Sequence, residues 1–154
     1  MSADCADIEA IRALIQRTAM LLDEEKLAAW VELFDAQGTY ELAAYSTEIR
    51  RWMTWQLSDR GELEKMLKEV DEHVRDPARR RRIIGIPLIA IDGDRADATS
   101  QFSLFRTSPE GQSALYMVGC YKDRLVRRKQ GWRYAAHKVI VDTRMLDSFT
   151  HTPV

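Results

Sequence analysis

The side chains with the most to offer chemically are Tyr40, Asp35, His137 and Asp142, a phenol, an imidazole and two carboxylates of the kind that move protons at a small-molecule substrate. They could do so only if burial shifts their pKa values and a cavity brings them to a substrate. Their spacing establishes neither condition. Tyr40, Tyr116, Tyr121 and Tyr134 all fall in stretches that read as strand, where a tyrosine is expected to half-bury its ring and keep its hydroxyl wet.

Metal chemistry has less to draw on. The three histidines, His73, His137 and His151, are not paired with a cysteine or with one another at ligand spacing, and no CxH or CxxH motif occurs. A Rieske-type cluster takes two Cys and two His, so Cys5, Cys120 and these imidazoles are a poor basis for one. A two-His-one-carboxylate set from His73, His137 and Asp142 is arithmetically available and needs three distant segments to converge. The plainer expectation places His73 at the margin of a helix stripe, His137 on a strand face and His151 in a flexible tail. No cofactor or metal site is expected in the chain. It also lacks a glycine-rich phosphate loop and a GxSxG elbow, and Cys120 is expected to pack as a small apolar residue.

Arg79, Arg80, Arg81 and Arg82 form the one dense run of charge. In a strand alternate side chains face opposite ways, so at most half of the four can share a face. Guanidinium forks suit carboxylates, either within the chain or on another subunit, and a nucleic-acid role is not expected because the formal net charge is only −1. Trp30, Trp52, Trp55 and Trp132 read mostly as core, with Trp52 and Trp55 as an interface anchor if they are exposed.

The elements that would position these residues follow from periodicity. Ile8, Ile11, Leu14, Ile15, Leu21 and Leu22 recur at three- and four-residue steps, predicting a helix over 7–22 with Asp4 or Asp7 as its cap. Leu27, Trp30, Val31 and Phe34 predict a second helix, with Asp23 and Glu24 at its start and its end near Gly38. A short strand is expected over 39–45, then a loop or short helix over 46–55. Leu63, Met66, Leu67, Val70 and Val74 trace a third helix that Pro77 ends. Four antiparallel strands should follow. The first, Ile83 to Ile91, is interrupted by Gly85 and Pro87 and is therefore expected at an edge or bulged. Asp92-Gly93-Asp94 and Ser108-Pro109-Glu110-Gly111 are turn signals on either side of the strand over 96–106. A long hairpin over 114–146, with a loop looser than the two-residue kind at Arg127–Gly131, closes the chain.

At 154 residues, 45% hydrophobic and 31% charged, the sequence suits one α+β domain spanning 1–154, with flexible tails at 1–6 and 149–154. A domain of this length buries roughly 70% of the surface of its unfolded chain. Two widely separated cysteines favour a reducing cytoplasm over a disulfide framework, and no run of about 18 apolar residues suggests a membrane span.

The segment DEEKLAAWVELFDAQGTY at 23–40, the entry RRRRIIGIP at 79–87 and the hairpin with GCYKDRLV, GWR and VIVDTRML resemble, in order and spacing, the small (beta) subunit of the aromatic-ring-hydroxylating, Rieske non-haem iron dioxygenases. That resemblance covers nearly the whole chain. It implies a cone-shaped fold of the nuclear transport factor 2-like (cystatin-like) superfamily, with N-terminal helices on a strongly curved, mainly antiparallel sheet. It further implies a partner alpha subunit that carries the Rieske 2Fe-2S cluster and the mononuclear iron, typically three alpha and three beta chains, beta-beta self-association, and an aromatic acid as substrate of the assembly. Arg79 to Arg82, Trp52 and Trp55 are the candidate interface residues. The competing expectations are a stand-alone isomerase, dehydratase or cyclase using Tyr40, Asp35, His137 and Asp142 in the cone, and a ligand-binding or adaptor module without chemistry.

Overall fold

Three long strands carry the architecture, and the last two each hold an extra residue that bends them. A computed structural model of the protein describes residues 3–70, 76–145 and 153–154. In it β5 (Arg95–Thr107), β6 (Ser113–Arg128) and β7 (Gly131–Val141) form an antiparallel meander. The β5–β6 register skips Tyr116 and the β6–β7 register skips Ala135. An extra residue on one strand sharpens the local twist and bends the sheet around its concave side. The hairpin loop is tighter than the sequence suggests: Arg128 pairs with Gly131, leaving only Lys129 and Gln130 to turn, and Gly131 takes a φ of 107° at the strand entry.

Helix α1 spans Ala3–Asp23, so the tail expected over 1–6 is already helix from Ala3 onward. Asp4 lies in its first turn, where a negative charge complements the helix dipole. Asp7 does not cap: its carboxylate accepts from Arg127 Nη2 at 2.6 Å and Trp132 Nε1 at 3.0 Å, tying the helix to the closing hairpin. Ile11, Leu14, Ile15 and Leu22 are buried from this helix.

The second helix is much shorter than its periodicity predicts. α2 covers Leu27–Val31, its N-cap is Lys26 with no side-chain cap, and the chain enters strand β1 (Phe34–Ser46) where helix was expected. Asp35 to Gly38, expected as the helix end and turn, instead bulge within β1: Phe34 is opposite Tyr134 and Thr39 opposite Ala136, so four residues face Ala135 alone. Gly38 makes this possible, since a Cβ there would stand 2.6 Å from the Tyr134 carbonyl oxygen.

The expected loop or short helix over 46–55 is strand. β2 (Arg51–Asp59) runs antiparallel to β1 after a tight turn. Helix α3 (Arg60–Glu69) follows at once through a capping box, in which Asp59 Oδ1 accepts from the Glu62 N–H and Glu62 Oε2 from the Asp59 N–H, both at 2.8 Å. Leu63 and Val70 are buried as expected, whereas Val74 and His73 lie outside the described residues.

Gly85 to Pro87 break the run 83–91 into β3 (Arg79–Ile84) and β4 (Leu88–Asp92), which pair with opposite ends of β5. Proline lacks a ladder donor, and both strands accordingly sit at the sheet's edge. The order of the sheet is β2-β1-β7-β6-β5-β3, with β4 also on β5, and only β1–β7 is parallel. This is the helix-covered, curved, mainly antiparallel α+β fold expected from the sequence. The helices fill its concave side and share one hydrophobic cluster with the inward residues of the strands. The segment 149–154 does not end as the flexible tail expected: residues 149–152 lie outside the described residues, but Val154 is inside the core, 1% exposed.

Candidate functional site

The concave interior brings together His137, Tyr40, Tyr121 and Tyr134, all buried, around a carboxylate that the sequence reading passed over. The alternation of β6 turns Tyr121, Asp123 and Leu125 inward and Lys122 and Arg124 outward. His137 projects from β7 directly opposite Asp123. Its Nδ1 donates to Asp123 Oδ1 at 2.5 Å, and both side chains are fully shielded from solvent. The imidazole is enclosed by the rings of Tyr134, Tyr121, Tyr40 and Phe34, with centroids at 4.8, 4.9, 5.9 and 6.2 Å.

Burial sets the electrostatics. It pushes the Asp123 carboxyl above its ordinary range, opposed by the His137 charge and hydrogen bond. It pushes the Tyr40 phenol up to about 12, opposed by the Val154 N–H and the Arg82 charge, and raises Tyr121 and Tyr134 further. All three phenols are therefore neutral at pH 7, and none is the half-buried, wet tyrosine that strand position alone suggests. Tyr134 and Thr18 share a hydrogen bond of 2.7 Å; because the Thr18 hydroxyl donates to the Leu14 carbonyl, Tyr134 is the donor. Tyr121 stacks on Phe102 at 4.5 Å, and its hydroxyl, His137 Nε2 and Asp123 Oδ2 have no hydrogen-bond partner. In its neutral form, an imidazole pinned through Nδ1–H leaves Nε2 as an acceptor, the arrangement of a general base.

The other two proposed members are elsewhere. Asp35 is held in a bidentate pair by Arg128, at 2.8 and 2.9 Å, which lowers its pKa. Asp142 is exposed just past β7, where its backbone N–H donates to the Val118 carbonyl. The acid-base set of Tyr40, Asp35, His137 and Asp142 is thus corrected to Tyr40 and His137 with Asp123. The signal for Asp123 was available: in Tyr121-Lys122-Asp123-Arg124-Leu125 it shares the parity of Tyr121 and Leu125. Of the two-His-one-carboxylate set, His137 is committed to Asp123 and Asp142 is exposed past β7, while His73 lies outside the described residues. Among the described residues no group of three or more His, Cys, Asp or Glu side chains is placed to hold a metal ion.

The arginine run divides as strand alternation requires. Arg79 and Arg81 are exposed, and Arg80 and Arg82 are buried. Arg80 and Arg106 both bind Asp76, and Arg82 binds Asp23 at 2.5 Å, so two of the four expected interface arginines serve intrachain pairs instead. Trp30 and Trp132 are core. The β1–β2 register skips Trp55, which lets Trp52 and Trp55, three apart in sequence, both finish exposed, at 59% and 40%. The Trp52 ring is met by Tyr45 and Lys138. No helix of the described residues is long and apolar enough to cross a membrane.

The chain as a whole is similar to known proteins. The chain is 27% identical over 149 residues to the beta subunit of 2-aminobenzenesulfonate 2,3-dioxygenase of an Alcaligenes species, covering 96% of this chain and 99% of that one. It is 29% identical over 161 aligned positions to the beta subunit of the methanesulfonate monooxygenase hydroxylase of Methylosulfonomonas methylovora, covering 98% and 88%. Among solved structures, a beta subunit assigned to an aromatic-ring-hydroxylating dioxygenase of Novosphingobium aromaticivorans superposes with a TM-score of 0.85 at 23% identity, covering 99% of both chains. The SnoaL-like domain family matches residues 3–138, a span from the start of α1 to His137 and Lys138 in β7, and the chain belongs to that family.

Proposed function

We propose that the chain is the non-catalytic, structural beta subunit of a multicomponent aromatic-ring-hydroxylating oxygenase. One observation carries this reading: the likeness to the 2-aminobenzenesulfonate dioxygenase beta subunit covers 96% of this chain and 99% of that one. Exposed apolar residues support it, since large side chains left in water at a sheet edge favour a partner surface. Ile49, Trp52 and Leu57 are exposed at the β2 edge, and Ile83, Ile86 and Leu88 at the β3–β4 edge. Two such edges suit a chain that contacts more than one neighbour in a ring of three alpha and three beta chains, with beta-beta contacts among them.

In that assembly the alpha subunit holds the Rieske cluster and the mononuclear iron, and this chain fixes the alpha subunits relative to one another in the cytoplasm. The two relatives are named for sulfonates, one aromatic and one aliphatic, which supports an organic acid as the substrate of the assembly, with the 2-aminobenzenesulfonate relative alone supporting an aromatic one. The test is co-expression with a candidate alpha chain bearing CxH and CxxH motifs. A stable complex containing iron, lost without this chain, is expected; a homogeneous chain that ignores such a partner would refute the reading.

The His137–Asp123 pair favours a second reading, a proton-transfer enzyme using the cone's interior. Turnover of an enolisable ketone by the purified chain, abolished in His137→Gln, would establish it. Against it stands the occupant of the interior, Val154, which packs in the core and donates its N–H to Tyr40 at 3.1 Å.

A further inference from the structure

The two edges of the sheet are unlike each other and complementary. Native proteins blunt an edge strand with lysine, proline or charge along its length, because its free backbone groups will otherwise pair with another chain. β2 carries no such device between its ends: Arg51 and Asp59 bracket Trp52 to Ser58, a run without Lys, Pro, Gly or charge. Its one strand neighbour among the described residues is β1. At the far edge, β3 exposes Arg79, Arg81 and Ile83, while Arg80 and Arg82 point into the core. Arg79 and Arg81 enter no ion pair among the described residues.

We infer that β2 of one copy adds to β3 of a second copy as an antiparallel ladder, with Asp59 opposite Arg79, Leu57 opposite Arg81 and Trp55 opposite Ile83. A single register makes all three contacts, because residues two apart on one strand meet residues two apart on the other in reverse order. The faces agree as well. Tyr40 is buried, so its neighbours Thr39 and Glu41 face outward, and Asp59 and Leu57 stand opposite them on β2. Arg79, Arg81 and Ile83 face outward on β3. Charge selects the direction: the antiparallel pairing brings Arg79 to Asp59, whereas a parallel one over the same span sets it against Arg51. Asp59 uses Oδ1 for the cap of α3, which leaves Oδ2 for the cation. The Arg81 stem covers Leu57, which is 62% exposed in the single chain, and Trp55 with Ile83 is an aromatic–β-branched pair. The ladder ends at Ile83, since Gly85 to Pro87 break the edge. Trp52 therefore stands beyond the seam, open to a chain of another kind. Pairing β2 with β2 across a two-fold axis would close after two copies and leave Arg79, Arg81 and Ile83 in water. The head-to-tail ladder covers them and repeats from copy to copy, as a closed ring requires. Closure at three copies rests on the assembly proposed above; the seam itself needs no second kind of chain.

The experiment uses the full-length chain alone. Sedimentation velocity at micromolar concentration should show a trimer. Leu57→Lys sets a like charge against Arg81 and should associate about tenfold more weakly than Leu57→Glu, and adding Arg81→Glu to Leu57→Lys should recover that factor. Both positions are exposed, so circular dichroism should not change. Directly opposite Cα atoms stand about 4.5–5.5 Å apart, within reach of a disulfide. With the free Cys5 and Cys120 replaced by Ser and Ala, Leu57→Cys and Arg81→Cys should each stay uncrosslinked alone, give a covalent dimer when mixed, and give a covalent ring of three when one chain carries both. Monomer throughout, equal association of the Lys and Glu variants at Leu57, or a dimer cross-linked through Trp55→Cys alone overturns the proposal. A ring with these signatures that ignores an iron-bearing partner upholds the seam and refutes the beta-subunit reading instead.

Discussion

Asp23, at the end of α1, grips Arg82 of β3 twice: Oδ1 accepts from the guanidinium at 2.5 Å and Oδ2 from the Arg82 backbone N–H at 2.9 Å. The carboxylate thus satisfies both a strand-edge donor and a buried cation, and it fixes α1 against the sheet 59 residues later in the chain. Removing one member of a buried pair leaves the other charge desolvated, at a cost of about 3–5 kcal/mol. Asp23→Ala is therefore expected to lower stability by that amount in urea titration. The double variant Asp23→Ala/Arg82→Met should recover much of the loss, because it removes the stranded charge; equal losses in the two would show that the backbone contact, not the charge, carries the effect.

A second carboxylate is expected to make the protein less stable in acid. Asp76 accepts from Arg106 at 2.7 and 2.8 Å and from Arg80 at 3.2 Å, and its pKa falls from 3.8 to about 2, chiefly through the Arg106 hydrogen bonds. A folded-state pKa below the unfolded one means that stability is fully present above about pH 4 and fades as pH falls toward 2. A shift of that size corresponds to about 2 kcal/mol. Urea midpoints measured from pH 6 to pH 2 should show this decline, and Asp76→Asn should be less stable at pH 6 yet flatter below pH 4. A wild-type slope retained in Asp76→Asn would assign the acid sensitivity to another group.

The alternation that buries Arg80 and Arg82 and exposes Arg79 and Arg81 is legible in the sequence, as is the inward parity of Phe102 and Leu104, because strand geometry leaves only two faces. The start of β1 is not. Leu27, Trp30, Val31 and Phe34 fit a helix face equally well, and what stops the helix at Val31 is a tertiary event, the docking of Phe34 and Gly38 against Tyr134 of a strand a hundred residues away. Trp55 illustrates a second limit. A bulge shifts parity by one residue, and nothing local to Arg51–Asp59 announces it. Asp123 was hidden differently, by flanking Lys122 and Arg124 that make a solvated strand face the natural reading, although its spacing to Tyr121 and Leu125 points inward.

Gly119 faces the β7 backbone so closely that a Cβ would lie 2.1 Å from the Ile140 carbonyl oxygen. No side-chain rotation relieves a clash with backbone. Gly119→Ala should cost about 3 kcal/mol or more, by the overpacking of a close strand pair. Gly93 offers the contrast: its φ is +59° and nothing stands within 4 Å, so Gly93→Ala should cost only about 1–2 kcal/mol of left-handed backbone strain. Thermal midpoints of the two variants, measured side by side, check the order, and equal losses would contradict the close approach at Gly119.

The His137–Asp123 pair is expected to behave as one unit. Asp123→Ala leaves the Nδ1 donor buried without an acceptor, an omission worth about 1–3 kcal/mol. His137→Phe with Asp123→Leu removes both polar groups and should be nearer to wild type than either single change, since an apolar replacement strands no polar atom. Nitrogen-15 spectra of the neutral ring should show the proton on Nδ1 in the wild type. The opposite tautomer would dismiss Asp123 as the group that orients the ring.

Trp52 is exposed on the outer face of β2, beyond the core, and its loss should leave the isolated chain within about 1 kcal/mol of wild type, the worth of its contacts with Tyr45 and Lys138. Exposed tryptophans at interfaces act through the partner's surface: truncating a central one costs 2 kcal/mol or more, roughly thirtyfold in affinity. If the β2 edge receives a neighbouring subunit, Trp52→Ala and Trp55→Ala should each weaken co-assembly with the iron-bearing partner in sedimentation velocity while circular dichroism stays unchanged. Arg79→Ala on the opposite edge separates the two surfaces, because it is exposed there and should affect the contact made by β3 alone. Full retention of assembly in the Trp52→Ala/Trp55→Ala double variant would remove β2 from the interface and leave the β3–β4 edge, with Ile83, Ile86 and Leu88, as the surface through which the ring is built.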